Sequence, residues 1–124
     1  MSIAISEAES AVMKVFWNAA PLCCSDVVTA LEGEHDWQEP TVKTLLNRLL
    51  KKGALRSEKD GRRFLYWPVL TREEWLSAES DGMLQRLFGG KLAPFVAHFS
   101  EHKRLSKKEV AELKALIERM SDEN

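Results

Sequence analysis

The sequence predicts a mainly α protein. The expected fold is a winged helix-turn-helix, three helices plus a β-hairpin wing, followed by a C-terminal helical region. Three observations predict it. Apolar residues recur at helical spacing in three short segments before Gly53. The period then becomes strand-like around an Asp-Gly pair. From Thr71 onward it is helical again. The expected division is therefore 1–70 and 71–124. With 124 residues and 44% hydrophobic content, the chain can bury a core and is too apolar for disorder.

Each element has its own signals. Ser6 and Glu9 form a capping box that opens the first helix. Ala8, Ala11, Val12, Val15 and Phe16 share one face of it, and Asn18 and Pro21 end it. A short second helix carries Val27, Val28 and Leu31 and closes at Gly33. Either Ser25 or, more weakly, Cys23 can cap it.

The third helix is the most informative. Pro40 suits its start, and Val42, Leu45, Leu46, Leu49 and Leu50 form a clean apolar face. Thr41, Lys43, Thr44, Asn47, Arg48 and Lys51 fall on the other faces, with Lys43, Asn47 and Lys51 stacked at i, i+4, i+8. One side can dock on a core while the other offers hydroxyl, amide and cationic donors. Gly53 stops the helix. Ala54–Glu58 and Arg63–Trp67 then flank a turn at Asp60-Gly61, and Pro68 ends the second strand. The hairpin tip carries Lys59, Arg62 and Arg63.

The last third is read as three helices. Thr71–Glu74 and Ser106–Glu109 are capping boxes, and Gly89-Gly90 break the chain between the first helix and the second. The stretch from Thr71 to Phe88 is weak in its middle, at Glu79, Ser80 and Gly82. Val110, Leu113, Ile117 and Met120 recur at 3-4-3 spacing, a narrow seam suited to a helical partner. This region carries more apolar surface than a small winged-helix body needs. It is expected to be a dimerisation element, with Trp75, Leu84, Leu87, Phe95, Phe99, Val110, Leu113 and Ile117 at the interface, the alternative being an intramolecular cap on the monomer.

Charge distribution sharpens the reading. The net charge is only −1, from 18 Lys and Arg against 19 Asp and Glu. Residues 1–37 nevertheless carry −5, residues 38–67 carry +5, and residues 68–124 carry −1. The basic block coincides with the third helix and the wing, the footprint of a polyanion site. The third helix would enter a major groove and the wing would follow the backbone. The reading is a DNA-binding regulator on an operator dyad. A protein-binding winged-helix adaptor without sequence-specific DNA binding is the alternative, because it shares the order of elements but not the need for this charge placement.

Other classes have little support. No phosphate loop, nucleophile elbow or paired-carboxylate motif is present, so no enzyme and no cofactor is expected. No metal site is expected either. Cys23 and Cys24 are adjacent and form no C-x-x-C pair. His98 and His102 are spaced i, i+4, but Phe99 stands where a zinc-protease motif needs Glu. The four tryptophans are scattered over different elements and suit packing better than base stacking. No apolar run approaches the roughly 18 residues needed to cross a bilayer. Glu7 and Glu9 also interrupt any secretory signal, so no membrane insertion and a cytoplasmic location are expected.

Specific residues carry a family resemblance. They are Trp37, Thr41-Val42-Lys43-Thr44-Leu45-Leu46-Asn47-Arg48-Leu49, Lys52-Gly53-Ala54-Leu55, and Gly61-Arg62 with Tyr66 and Pro68. Ser6-Glu7-Ala8-Glu9, Val12-Met13 and Trp17 extend it to the start. Gly89-Gly90, Leu105-Ser106, Glu109 and Leu113 extend it to the last third. Over essentially its whole length the chain resembles the penicillinase-repressor family of bacterial winged-helix repressors, the BlaI/MecI/CopY type. The resemblance implies a homodimeric, cytoplasmic transcriptional repressor on an operator dyad. Thr41, Lys43 and Thr44 would lie in the groove, with Arg48 and Lys51 on phosphate or extending the helix contact. Arg62, Arg63 and Tyr66 would act from the wing.

The resemblance also implies release by proteolysis through a membrane sensor protease in one branch, and by copper in another. This chain departs from both patterns. It has no cysteine after Cys24, so the cysteine-rich copper hook is missing. In the cleaved branch the scissile bond is Asn-Phe, whereas His98-Phe99 stands in the corresponding segment here.

Overall fold

The computed structural model describes residues 3–102 and 105–123. Its elements are α1 (Glu7–Asn18), α2 (Cys24–Leu31), α3 (Glu39–Lys52), β1 (Leu55–Asp60), β2 (Arg63–Pro68), α4 (Arg72–Phe88), α5 (Leu92–His102) and α6 (Lys107–Glu123). The chain forms two compact units, with the boundary between Glu79 and Ser80 inside α4.

The first unit is organised around three helices. The Ser6 hydroxyl accepts from Glu9 N–H at 3.1 Å while Glu9 Oε1 accepts from Ser6 N–H at 2.7 Å, so the expected capping box is formed. Val12, Met13 and Phe16 are buried from α1 and Val27 and Leu31 from α2. Val42, Leu45, Leu46 and Leu49 are buried from α3. Ala54, Leu55, Tyr66 and Leu70 close the same cluster from the wing side. The apolar face read from the sequence of α3 is therefore the face that docks.

Gly53 ends α3 in the left-handed region at φ 78°, which a β-carbon would strain. The N–H of Ala54 reaches back to Leu49 O at 2.9 Å and turns the chain into β1.

The hairpin pairs Leu55 with Pro68 through to Asp60 with Arg63. The turn thus consists of Gly61 and Arg62, one residue later than the Asp-Gly reading, because Asp60 stays in the ladder. Gly61 takes φ 65°, as the first central residue of a primed turn requires. Both strands run slightly beyond the expected ends.

An antiparallel bridge joins Leu22 to Tyr66, with N–H to O distances of 3.3 and 2.9 Å. It ties the connection between α1 and α2 to the wing. Trp17 Nε1 donates to Leu70 O at 2.9 Å, and its ring lies 5.3 Å from that of Trp75.

The second unit has a different character. Gly89 and Gly90, both at positive φ, separate α4 from α5. Phe88, Phe95 and Phe99 form a ring cluster with centroids 5.5 and 5.1 Å apart along the series. Yet among the described residues from Ser80 onward, none is buried. No helix among the described residues is long and apolar enough to cross a membrane.

Candidate nucleic-acid interface

Docking α3 by its apolar face leaves Thr41, Lys43, Thr44, Asn47, Arg48 and Lys51 all exposed. Among the described residues, Lys43, Arg48 and Lys51 enter no ion pair, nor do Lys59 and Arg62 on the wing. Five cations on α3 and the hairpin with no ion-pair partner among the described residues make a surface that can hold phosphate. The Thr44 hydroxyl is the exception in readiness. It donates to Pro40 O at 3.0 Å, which leaves only its lone pairs free.

Arg63 is placed differently. Its Nε donates to Asp60 Oδ2 at 3.3 Å, and its Nη1 lies 4.0 Å from Cys23 Sγ. Asp60 raises the Arg63 pKa. Arg63 therefore supports the base of the wing tip as well as carrying charge.

Two expected site residues are used elsewhere. Tyr66 is only 5% exposed and its ring packs 6.4 Å from that of Phe16, so it is a core residue and not a wing contact. Its phenol pKa is raised, chiefly by burial. Strand alternation explains the error: Tyr66 faces inward, as Leu55 does on β1. Trp75, expected at an interface between copies, is engaged within the first unit. It packs on Trp17 and lies under Lys14 Nζ at 5.5 Å. The remaining expected interface residues, Leu84, Leu87, Phe95, Phe99, Val110, Leu113 and Ile117, are half-buried or exposed, with Leu87 at 59% and Ile117 at 61%.

The start of α2 holds two cysteines, both free thiols. Cys23 is the N-cap residue, and its N–H donates to Asp26 Oδ2 at 3.1 Å. That bond lowers the Asp26 pKa. Cys24 Sγ lies 3.9 Å from Glu39 O, at the first residue of α3. Burial raises the Cys24 pKa, with a further push from Glu39, which makes this thiol less reactive than an ordinary one. His98 and His102 stack at 4.4 Å, and no cluster of three potential metal ligands occurs among the described residues.

Sequence reasoning missed one structural ion pair. Lys52 Nζ lies 2.6 Å from Glu9 Oε1, and the Glu9 side chain is 2% exposed. The pair fastens the start of α1 to the end of α3. The capping box announced Glu9, but nothing in the spacing pointed to a partner 43 residues away.

The sequence profile described as Penicillinase repressor matches residues 5–119. The chain belongs to the penicillinase repressor family. The penicillinase repressor of Bacillus licheniformis is 37% identical over 114 residues, which span 92% of this chain and 89% of that protein. The solution structure of the DNA-binding domain of the repressor BlaI matches with a TM-score of 0.53 at 38% identity. That match covers 60% of this chain and 93% of the other. Monomeric Bacillus licheniformis BlaI, in complex with the blaP half-operator, matches with a TM-score of 0.50 at 39% identity. It covers 57% of this chain and 87% of the other. The mainly helical chain with its antiparallel hairpin thus has the winged helix-turn-helix fold of this repressor family.

Proposed function

We infer that this DNA-binding transcriptional repressor acts as a homodimer on a two-fold symmetric operator. Residues 1–70 bind DNA and residues 71–124 hold the dimer together. The observation that carries the DNA reading is the two-faced α3, whose apolar side docks on the core while its Lys43, Arg48 and Lys51 have no ion-pair partner among the described residues. Thr41, Lys43, Thr44 and Asn47 contact the groove. Arg48, Lys51, Arg62 and Arg63 contact phosphate. Phosphate contacts place the protein, and base contacts select the sequence.

The dimer reading rests on the second unit's lack of any buried residue among those described. Leu87, Leu92 and Ile117 are each about 60% exposed, and an apolar surface of this kind is costly without a partner. A second copy supplies the same seam and matches a dyad by symmetry. We further propose that release follows cleavage in α5 at His98-Phe99, where His98 is exposed, by a membrane sensor protease.

Binding to duplex from the protein's own promoter, measured across a salt series, tests the function. A specific affinity of roughly 10⁻⁸ M or tighter with a steep negative salt slope is expected. No preference over random duplex would refute it. Sedimentation of Leu87→Asp with Ile117→Asp should give monomer, and a persistent dimer would remove the tail from the interface.

A further inference from the structure

Phe64 is the exposed aromatic residue of the wing that these contacts leave unexplained. It is 50% exposed, although it sits on a basic hairpin opposite Lys59 and next to Arg63. Strand propensity accounts for an aromatic residue in β2 but not for its lack of cover. Leu65 and Trp67, on the other face of the same strand, are both half-buried, and Trp67 has Arg56 4.4 Å above its ring.

Alternation places Phe64 on the face of β2 that carries Tyr66, two residues nearer the tip. Tyr66 is bridged to Leu22, Arg63 reaches Cys23 Sγ, and Cys24 Sγ lies against Glu39 O. These contacts set this level of the wing beside the N-terminal end of α3. In a helix-turn-helix protein that end meets the base edges, so whatever lies beside it faces the adjoining backbone.

We propose that Phe64 is a DNA contact residue whose ring packs on the apolar faces of deoxyribose sugars flanking the half-site, between phosphates held by Lys59 and Arg62. A ring there gains by excluding water from sugar C–H groups, and it adds no charge. The proposal rests on the DNA-binding reading above.

The test compares Phe64→Ala, Phe64→Leu and Arg62→Ala in the full chain, on operator and on random duplex across a salt series. Phe64→Ala should bind both duplexes about tenfold more weakly, because sugars are common to all sequences, and should leave the salt slope unchanged. Phe64→Leu should recover most of the loss. Arg62→Ala should flatten the slope by about 0.9, which marks the removal of one phosphate contact. Unchanged affinity of Phe64→Ala, or a loss confined to the operator, would overturn the proposal. So would a flattened slope for Phe64→Ala, or a loss explained by weaker self-association in sedimentation, which would make a second copy the occupant. If the parent itself shows no specific binding, the DNA reading fails. If the parent and Arg62→Ala behave as stated and Phe64→Ala does not, only this inference fails.

Discussion

Lys52→Met is the most direct probe of how α3 is held. The substitution keeps the length of the stem and removes the ammonium 2.6 Å from Glu9 Oε1. Glu9 is 1% exposed, and its second oxygen, Oε2, is buried with no hydrogen-bond partner among the described residues. The carboxylate therefore depends on Oε1, which also accepts from Ser6 N–H. Breaking a fully buried pair costs about 3–5 kcal/mol, while an exposed pair is worth about 0–1 kcal/mol. The Lys52 side chain is 38% exposed, so water can partly replace the lost ammonium. A loss of about 2 kcal/mol is expected between those limits.

For a unit of this size, a 2 kcal/mol loss lowers Tm by roughly 8–16 °C. All four tryptophans lie in the first unit, so fluorescence-detected urea and thermal melts report on that unit. Glu9→Gln preserves the capping acceptor and completes a double-mutant cycle with Lys52→Met. The cycle should show a coupling of at least about 1 kcal/mol. A loss below about 0.5 kcal/mol for Lys52→Met, or additive effects in the cycle, would refute the claim that the pair is internal.

Two further outcomes follow from the same surfaces. Burial pushes the Glu9 carboxyl up, but hydrogen bonds from Lys52 and Ser6 outweigh it and hold the group below the ordinary glutamate value. Its contribution is then complete above about pH 4.3 and is lost as pH falls through the lower folded value. Stability of Glu9→Gln should decline less steeply than the parent below about pH 4, and parallel acid limbs would contradict this. Lys43→Ala should weaken operator binding and leave the urea midpoint unchanged, since Lys43 is exposed and has no ion pair among the described residues. Unfolding of that variant would show that the face of α3 is misassigned.

The winged-helix body was legible because its signals are local. Capping boxes, a clean apolar stripe in α3, Gly53 and the Gly61 hairpin signal each depend on a few neighbouring residues. What the sequence concealed is long-range. Tyr66 reads as an exposed wing residue until the bridge to Leu22 fixes which face of β2 turns inward. Trp75 reads as part of a seam until the Leu70 corner folds it onto Trp17. Lys52 reads as one more cation in a basic run until α1 brings a buried carboxylate to it. Phe64 carried a signal, an aromatic amid basic residues at a hairpin tip, but only its exposure separates it from Leu65 and Trp67. The helices after the wing were legible from the caps at Thr71 and Ser106 and the Gly89-Gly90 break, and α4 continues through Gly82 despite the weak composition there.

The absence of a buried residue among the described residues of that second unit bears on gene dosage. In the proposed dimer, a region without an interior of its own would draw its order from its partner, and its stability would rise with the logarithm of protomer concentration. At a low copy number the proposed dimer would thin by mass action, and each protomer would present one reading head where a two-fold operator requires two. Repression by such a protein should be steep in expression level, and a modest fall in supply would open the operon before every molecule had been removed.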